Sequence, residues 1–119
     1  MGNPDQSALP TDATIAKALD TMWVRHRTQI LDRVTVLEAA ASAVTANLLN
    51  ASDRDAAHGA AHKLAGTLGM FNLTRGTELA RELEQMYSLD PAPPGASGRQ
   101  LASMAAELRT MIENRKSSS

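Results

Sequence analysis

Residues 53–72 read DRDAAHGAAHKLAGTLGMFN, and their spacing decides the fold. Ala57, Ala61, Leu64, Leu68 and Phe71 follow one another at steps of four and three, the repeat of one helix face. With successive residues offset by about 100°, His62 lies roughly 140° from the middle of that face and points to water. Gly59, Gly66 and Gly69 fall on or near its side of the helix. A glycine inside a helix costs about 1 kcal/mol relative to alanine. Three of them around one exposed imidazole serve stability poorly, whereas bare backbone there suits close approach of another surface.

Working outward, the same helical period continues on both sides. Upstream, Ile30, Val34, Leu37, Ala41, Val44 and Leu48 alternate steps of four and three, the spacing of a helix packed nearly parallel to its neighbours in a bundle. Ile15, Leu19, Met22 and Trp23 form an earlier apolar stripe behind a cap at Thr11 or Asp12. No Pro or Gly interrupts residues 11–50, so this stretch reads as one long helix or as two with a bend near residues 25–28. Asn50 is expected to end it as a left-handed C-cap, and Ser52 with Asp55 to open the His62 helix as an approximate capping box. Asn72 should close that helix, since Asn tolerates positive φ better than most residues.

Downstream, Thr74 is expected to cap a helix whose core face is Leu79, Leu83, Met86 and Tyr87, with Ala80 beside it. SLDPAPPGASG (88–98) holds three prolines and two glycines and reads as a loop. Ser97 with Gln100 has the form of another capping box, opening a last helix that turns Leu101, Met104, Ala105, Leu108, Met111 and Ile112 inward. ENRKSSS should fray. Short connections make consecutive helices antiparallel neighbours. The expected architecture is all-α, an up-down antiparallel four-helix bundle with an N-terminal helical extension over residues 11–25. Residues 1–10 are expected to be flexible, 11–114 to form the bundle and 115–119 a flexible tail.

Composition narrows the function classes. At 119 residues the chain can build one core, and an aromatic content of 3% with few β-branched runs argues for helices. A formal charge of −1 and the absence of a Lys/Arg cluster argue against a nucleic-acid surface. Without cysteine there is no disulfide framework, thiolate metal site or Cys nucleophile. No apolar run approaches the roughly 18 residues of a membrane span, and MGNPDQSALP lacks the basic and apolar regions of a signal peptide. A cytoplasmic monomer that contacts neither nucleic acid nor membrane is expected.

Among candidate sites, His58 and His62 stand four apart on one helix and can present two imidazoles to a metal. No acidic residue lies between them and no third ligand is evident, so no metal is expected. His26, in the charged stretch RHR, reads as solvated. There is no G-x-S-x-G nucleophile pattern, and Glu78, Glu82 and Glu84 read as solvated helix-face carboxylates. Gly59, Gly66 and Gly69 are too widely spaced, and misplaced inside a helix, to form a phosphate-cradling loop. Asn50-Ala-Ser52 and Asn72-Leu-Thr74 match a glycosylation pattern, but helix ends account for both.

At AHKLAGTLGMFNL the sequence resembles the histidine-containing phosphotransfer (HPt) domains. Their motif, His-x-Leu-Lys-Gly followed by small residues and a helix-ending glycine, reads here His62-Lys63-Leu64-Ala65-Gly66, then Thr67. Leu79-Ala80-Arg81-Glu82-Leu83-Glu84 is similar to the family's A-x-x-LE segment, and the helical layout agrees over residues 11–114. Two positions depart. The usual Lys three after the histidine is Ala65, leaving Lys63 as the cation beside it, and the usual glycine ten after is Asn72.

The resemblance implies that His62 accepts a phosphoryl group from a receiver aspartate or a histidine kinase and passes it to a response-regulator aspartate. Lys63 and Gly66 would form the phosphoryl environment, and His58, Gly59, Ala65 and Gly69 the surface on which a partner docks. Imidazole as a class titrates near pH 6.5, so a neutral nitrogen nucleophile is at hand near neutrality (about pH 7). The domain would need no cofactor of its own, the Mg²⁺ belonging to the partner receiver. No nucleotide-binding motif is present, so phosphorylation from ATP by this chain itself is not expected. Competing expectations are a phosphoacceptor domain of a chemotaxis-type kinase, a metal-binding bundle using His58 and His62, and a scaffolding bundle without chemistry.

Overall fold

The computed structural model describes residues 12–88 and 93–115. Four helices fill them: α1 (Asp12–Thr45), α2 (Ala51–Met70), α3 (Thr74–Ser88) and α4 (Gly98–Glu113), the last preceded by a single 3₁₀ turn, Gly95–Ser97. Each packs on its sequence neighbours, and α4 closes back on α1; α1 against α3 and α2 against α4 are the diagonals. This is an up-down four-helix bundle. The expectations for residues 1–11 and 116–119 lie outside the described residues.

The bundle forms because each helix carries one apolar stripe. Ile30, Val34, Leu37, Ala41 and Val44 of α1 are buried together with Ala57, Ala61, Leu64 and Leu68 of α2. Leu79, Ala80, Leu83 and Tyr87 of α3 meet Leu101, Met104, Ala105, Leu108 and Ile112 of α4 in the same core. At about 25 cal/mol per Å² of apolar surface removed from water, this burial is the main force holding the helices together. Tyr87 sits so deep that desolvation pushes its phenol up to about 12, and its Oη has no hydrogen-bond partner among the described residues. Arg109 clamps α4 to α1 by donating from Nε and Nη2 to Glu38, both at 2.8 Å; that hydrogen bonding holds the Glu38 carboxyl below its ordinary range.

Several details differ from the sequence expectations. Helix α1 does run unbroken through residues 25–28, the one-helix alternative, so the N-terminal extension is its first turns. Ile15 and Met22 are exposed there, and burial begins at Trp23, because α1, about 50 Å long at 1.5 Å per residue, outreaches its partners. Leu48 is 73% exposed, because α1 ends before it. The left-handed residue is Asn47, with φ 59°, and the Asn47 and Leu48 N–H groups donate to the Val44 and Ala43 carbonyls, a Schellman closure.

Asn50 is then an N-cap and not a C-cap: its Oδ1 accepts from the Asp53 N–H at 2.7 Å, displacing Ser52 from that role. Ser97 makes no side-chain capping bond, since its backbone is already helical. Asn72 does take φ 59°, and the Leu73 N–H reaches back to the Leu68 carbonyl. Arg115, expected in a fraying tail, instead pairs with Asp20 at 3.2 Å and lies over the Trp23 and Phe71 rings at 4.8 and 5.3 Å.

Where α4 starts, a Cβ on Gly98 would collide with the Thr45 side chain and lie 2.9 Å from its Cα. Only a residue without a side chain lets the two helices approach this closely. Gly98→Ala is therefore expected to destabilise the bundle by about 1–3 kcal/mol, the usual scale of overpacking. Urea titration against the parent chain would measure it, and an unchanged midpoint would refute the close-contact argument.

Candidate functional site

The site is built on the α2–α3 hairpin. The turn at residues 71–73, with Asn72 left-handed, folds α3 back along α2 in a fixed register. Near the turn a Cβ on Gly69 would sit 3.7 Å from Thr77 Oγ1. Further along, the same antiparallel register brings Glu84 opposite His62. Small residues at the seam, Ala57, Ala61 and Ala65 on α2 with Gly76 and Ala80 on α3, are buried and keep the helices close.

His62 stands clear of the bundle, its side chain 70% exposed. Its Nδ1 lies 2.8 Å from Glu84 Oε2. A carboxylate only accepts, so Nδ1 is the donor in this contact, and in the neutral ring the lone pair is on Nε2, the nitrogen not bonded to Glu84. His58 Nε2 approaches the same oxygen at 3.8 Å, longer than a hydrogen bond. Together with Arg81, Gln85 and Ser88 these three side chains line an open depression of about 320 Å³.

The residues singled out in the sequence divide in two. Lys63 and Gly66 are exposed beside His62, Gly69 is exposed nearer the hairpin turn, and His58 and Gly59 are partly exposed. A Cβ added at Gly59 or Gly66 would meet nothing within 4 Å, so the glycines do leave open space. Ala65 corrects the expected docking surface: it is 6% exposed and belongs to the buried core. The sequence reading also missed Glu84 as a partner of the histidine. Its signal was the hairpin register, which becomes legible only once the turn at residues 71–73 is fixed.

Among the described residues no group of three or more His, Cys, Asp or Glu is arranged to hold a metal ion. No described helix is long and apolar enough to cross a membrane.

An exposed histidine at mid-helix in a four-helix bundle, oriented by a carboxylate from the next helix, agrees with what sequence comparison finds. Residues 14–118 match the Hpt domain family. The chain belongs to that family. Its Hpt domain is 36% identical over 81 residues to Protein RcaC of Microchaete diplosiphon. That stretch covers 66% of this chain and 12% of the relative, so the chain corresponds to a small part of it. No solved structure gives a significant match. Hpt domains are phosphotransfer intermediates of two-component signalling, carriers without an ATP site that work with histidine kinases and receiver domains.

The Glu84 contact makes a prediction about the ring itself. In the parent Hpt domain ¹⁵N spectra of neutral His62 should show predominantly the Nδ1–H tautomer. Glu84→Ala should return a mixture of both tautomers while the far-ultraviolet circular dichroism stays helical. Identical His62 ¹⁵N shifts in the two proteins would refute the assignment.

Proposed function

We propose that His62 Nε2 is the phosphoryl acceptor of this domain, taking the group from a receiver aspartyl phosphate or a histidine kinase and delivering it to a response-regulator aspartate. The observation that carries this reading is the single hydrogen bond from Nδ1 to Glu84 on a ring otherwise open to solvent. It fixes the tautomer, and it leaves the nucleophilic nitrogen outermost.

In the transfer from an acyl phosphate, the Nε2 lone pair forms the N–P bond as the P–O bond breaks, and that electron pair returns to the donor carboxylate. Nδ1 keeps its hydrogen throughout, so the ring becomes a phosphorylated imidazolium. Its positive charge falls beside the Glu84 carboxylate, which stabilises the product without moving. Phosphoryl transfer is mostly positioning and charge neutralisation, and we assign the Mg²⁺ that neutralises the phosphoryl oxygens to the receiver.

Gly59 and Gly66 give that receiver room to approach the helix. On the other flank of α2, Met22, His26, Gln29 and Arg33 of α1 with Thr67 and Met70 of α2 line a shallow groove that extends the docking surface.

His62→Gln should abolish acid-labile labelling by a phosphorylated receiver while leaving helicity intact, and retained labelling would end the proposal. Gly66→Leu separates folding from transfer. The open space at Gly66 and the better helix propensity should raise stability by about 0.5–1 kcal/mol, while transfer falls at least tenfold. A normal transfer rate in that variant would remove the steric argument.

A further inference from the structure

One turn after His62 on α2 stands Ala65, which is buried and carries no charge. Lys63, next to His62 in sequence, is not among the residues lining the depression at His62. Yet a phosphorylated imidazole places a dianionic phosphoryl group at the surface, and a nearby donor cation is the ordinary means of holding one.

The hairpin register supplies a candidate. Gly69 stands opposite Thr77, and His62 opposite Glu84, so equal steps along the two helices run in opposite directions. One turn from His62 towards the hairpin turn is Ala65, and the matching turn back from Glu84 is Arg81. Arg81 thus stands across the seam from Ala65. It is exposed, it is the one Lys or Arg among the described residues lining the depression that also holds His62, and among the described residues no carboxylate forms an ion pair with it. The arginines in ion pairs among the described residues are Arg75, Arg109 and Arg115, all turned to carboxylates elsewhere.

We infer that Arg81, which lines the same depression as His62, is the phosphoryl-binding cation of this domain. This rests on His62 being the acceptor. The guanidinium reaches over the seam and donates N–H groups to the phosphoryl oxygens once the group is on Nε2. Before transfer it remains an exposed cation that draws an anionic donor to the depression. Glu84 and Arg81, one turn apart on the same helix, then divide the work, the carboxylate serving the ring and the guanidinium the phosphoryl group.

The test loads the full chain with potassium phosphoramidate, which needs no partner protein: its N–P bond breaks, ammonia leaves, and the bond to Nε2 forms. A ³¹P titration of the product then reads the proton affinity of the phosphoryl oxygens. Arg81→Gln, which keeps a polar side chain without charge, should raise that affinity about tenfold, the usual scale for losing a charge-assisted hydrogen bond. Arg81→Lys should recover most of the difference, and 1 M salt should shrink it by screening.

A ³¹P titration unchanged in Arg81→Gln, or displaced equally in Arg81→Lys, overturns the role of the charge. Failure of the parent chain to take label on His62, judged against His62→Gln, overturns the acceptor reading itself. The two failures are thereby distinguished. Circular dichroism of each variant guards against loss of the fold, and the Lys-against-Gln comparison keeps the test decisive where a smaller residue would unfold the hairpin.

Discussion

The antiparallel register of α2 and α3 is the constraint on which everything at the site depends. It is set by ordinary means: a left-handed Asn72, a turn of three residues, and side chains small enough that the helices lie close. A Cβ on Gly76 would press Leu68 at 3.0 Å, so the hairpin tolerates little sliding near its turn. Because helix side chains recur with a period near 3.6, a slip of even one residue would swing Glu84 away from His62. The hydrogen bond that orients the imidazole is therefore a product of packing several turns away.

Stability and chemistry occupy opposite sides of α2. The inward stripe of Ala57, Ala61, Leu64 and Leu68 is buried and holds the helix in the bundle. The outward stripe of glycines around His62 gives up helix propensity, a cost of about 1 kcal/mol at each position. The helix survives because tertiary burial, and not intrinsic propensity, supplies most of its stability. On the proposed function, a local choice that weakens the helix is thus confined to the face a partner would approach.

Much of this was legible in the sequence. The stripes of Ile30 to Val44, of Ala57 to Phe71 and of the last helix all turned inward as their spacing indicated, because helix periodicity depends only on local geometry. Helix ends were harder. Asn47, Asn50 and Ser52 are all residues that favour helix termini, and which one serves depends on where α1 must stop to let α2 turn back. Glu84 and Arg81 were invisible as site residues for a related reason: their roles follow from register across a turn, which no single helix encodes. Arg115 looked like tail because its partners, Asp20, Trp23 and Phe71, lie far back in the chain.

The two ends of the bundle are closed by different kinds of contact. At one, Gly98 lies against Thr45, a hard steric fit with no slack. At the other, Arg115 floats over two aromatic rings set edge to face at 5.0 Å, an attraction that varies gently with position. The helices are consequently fixed at both ends, by shape at one and by charge and ring contact at the other.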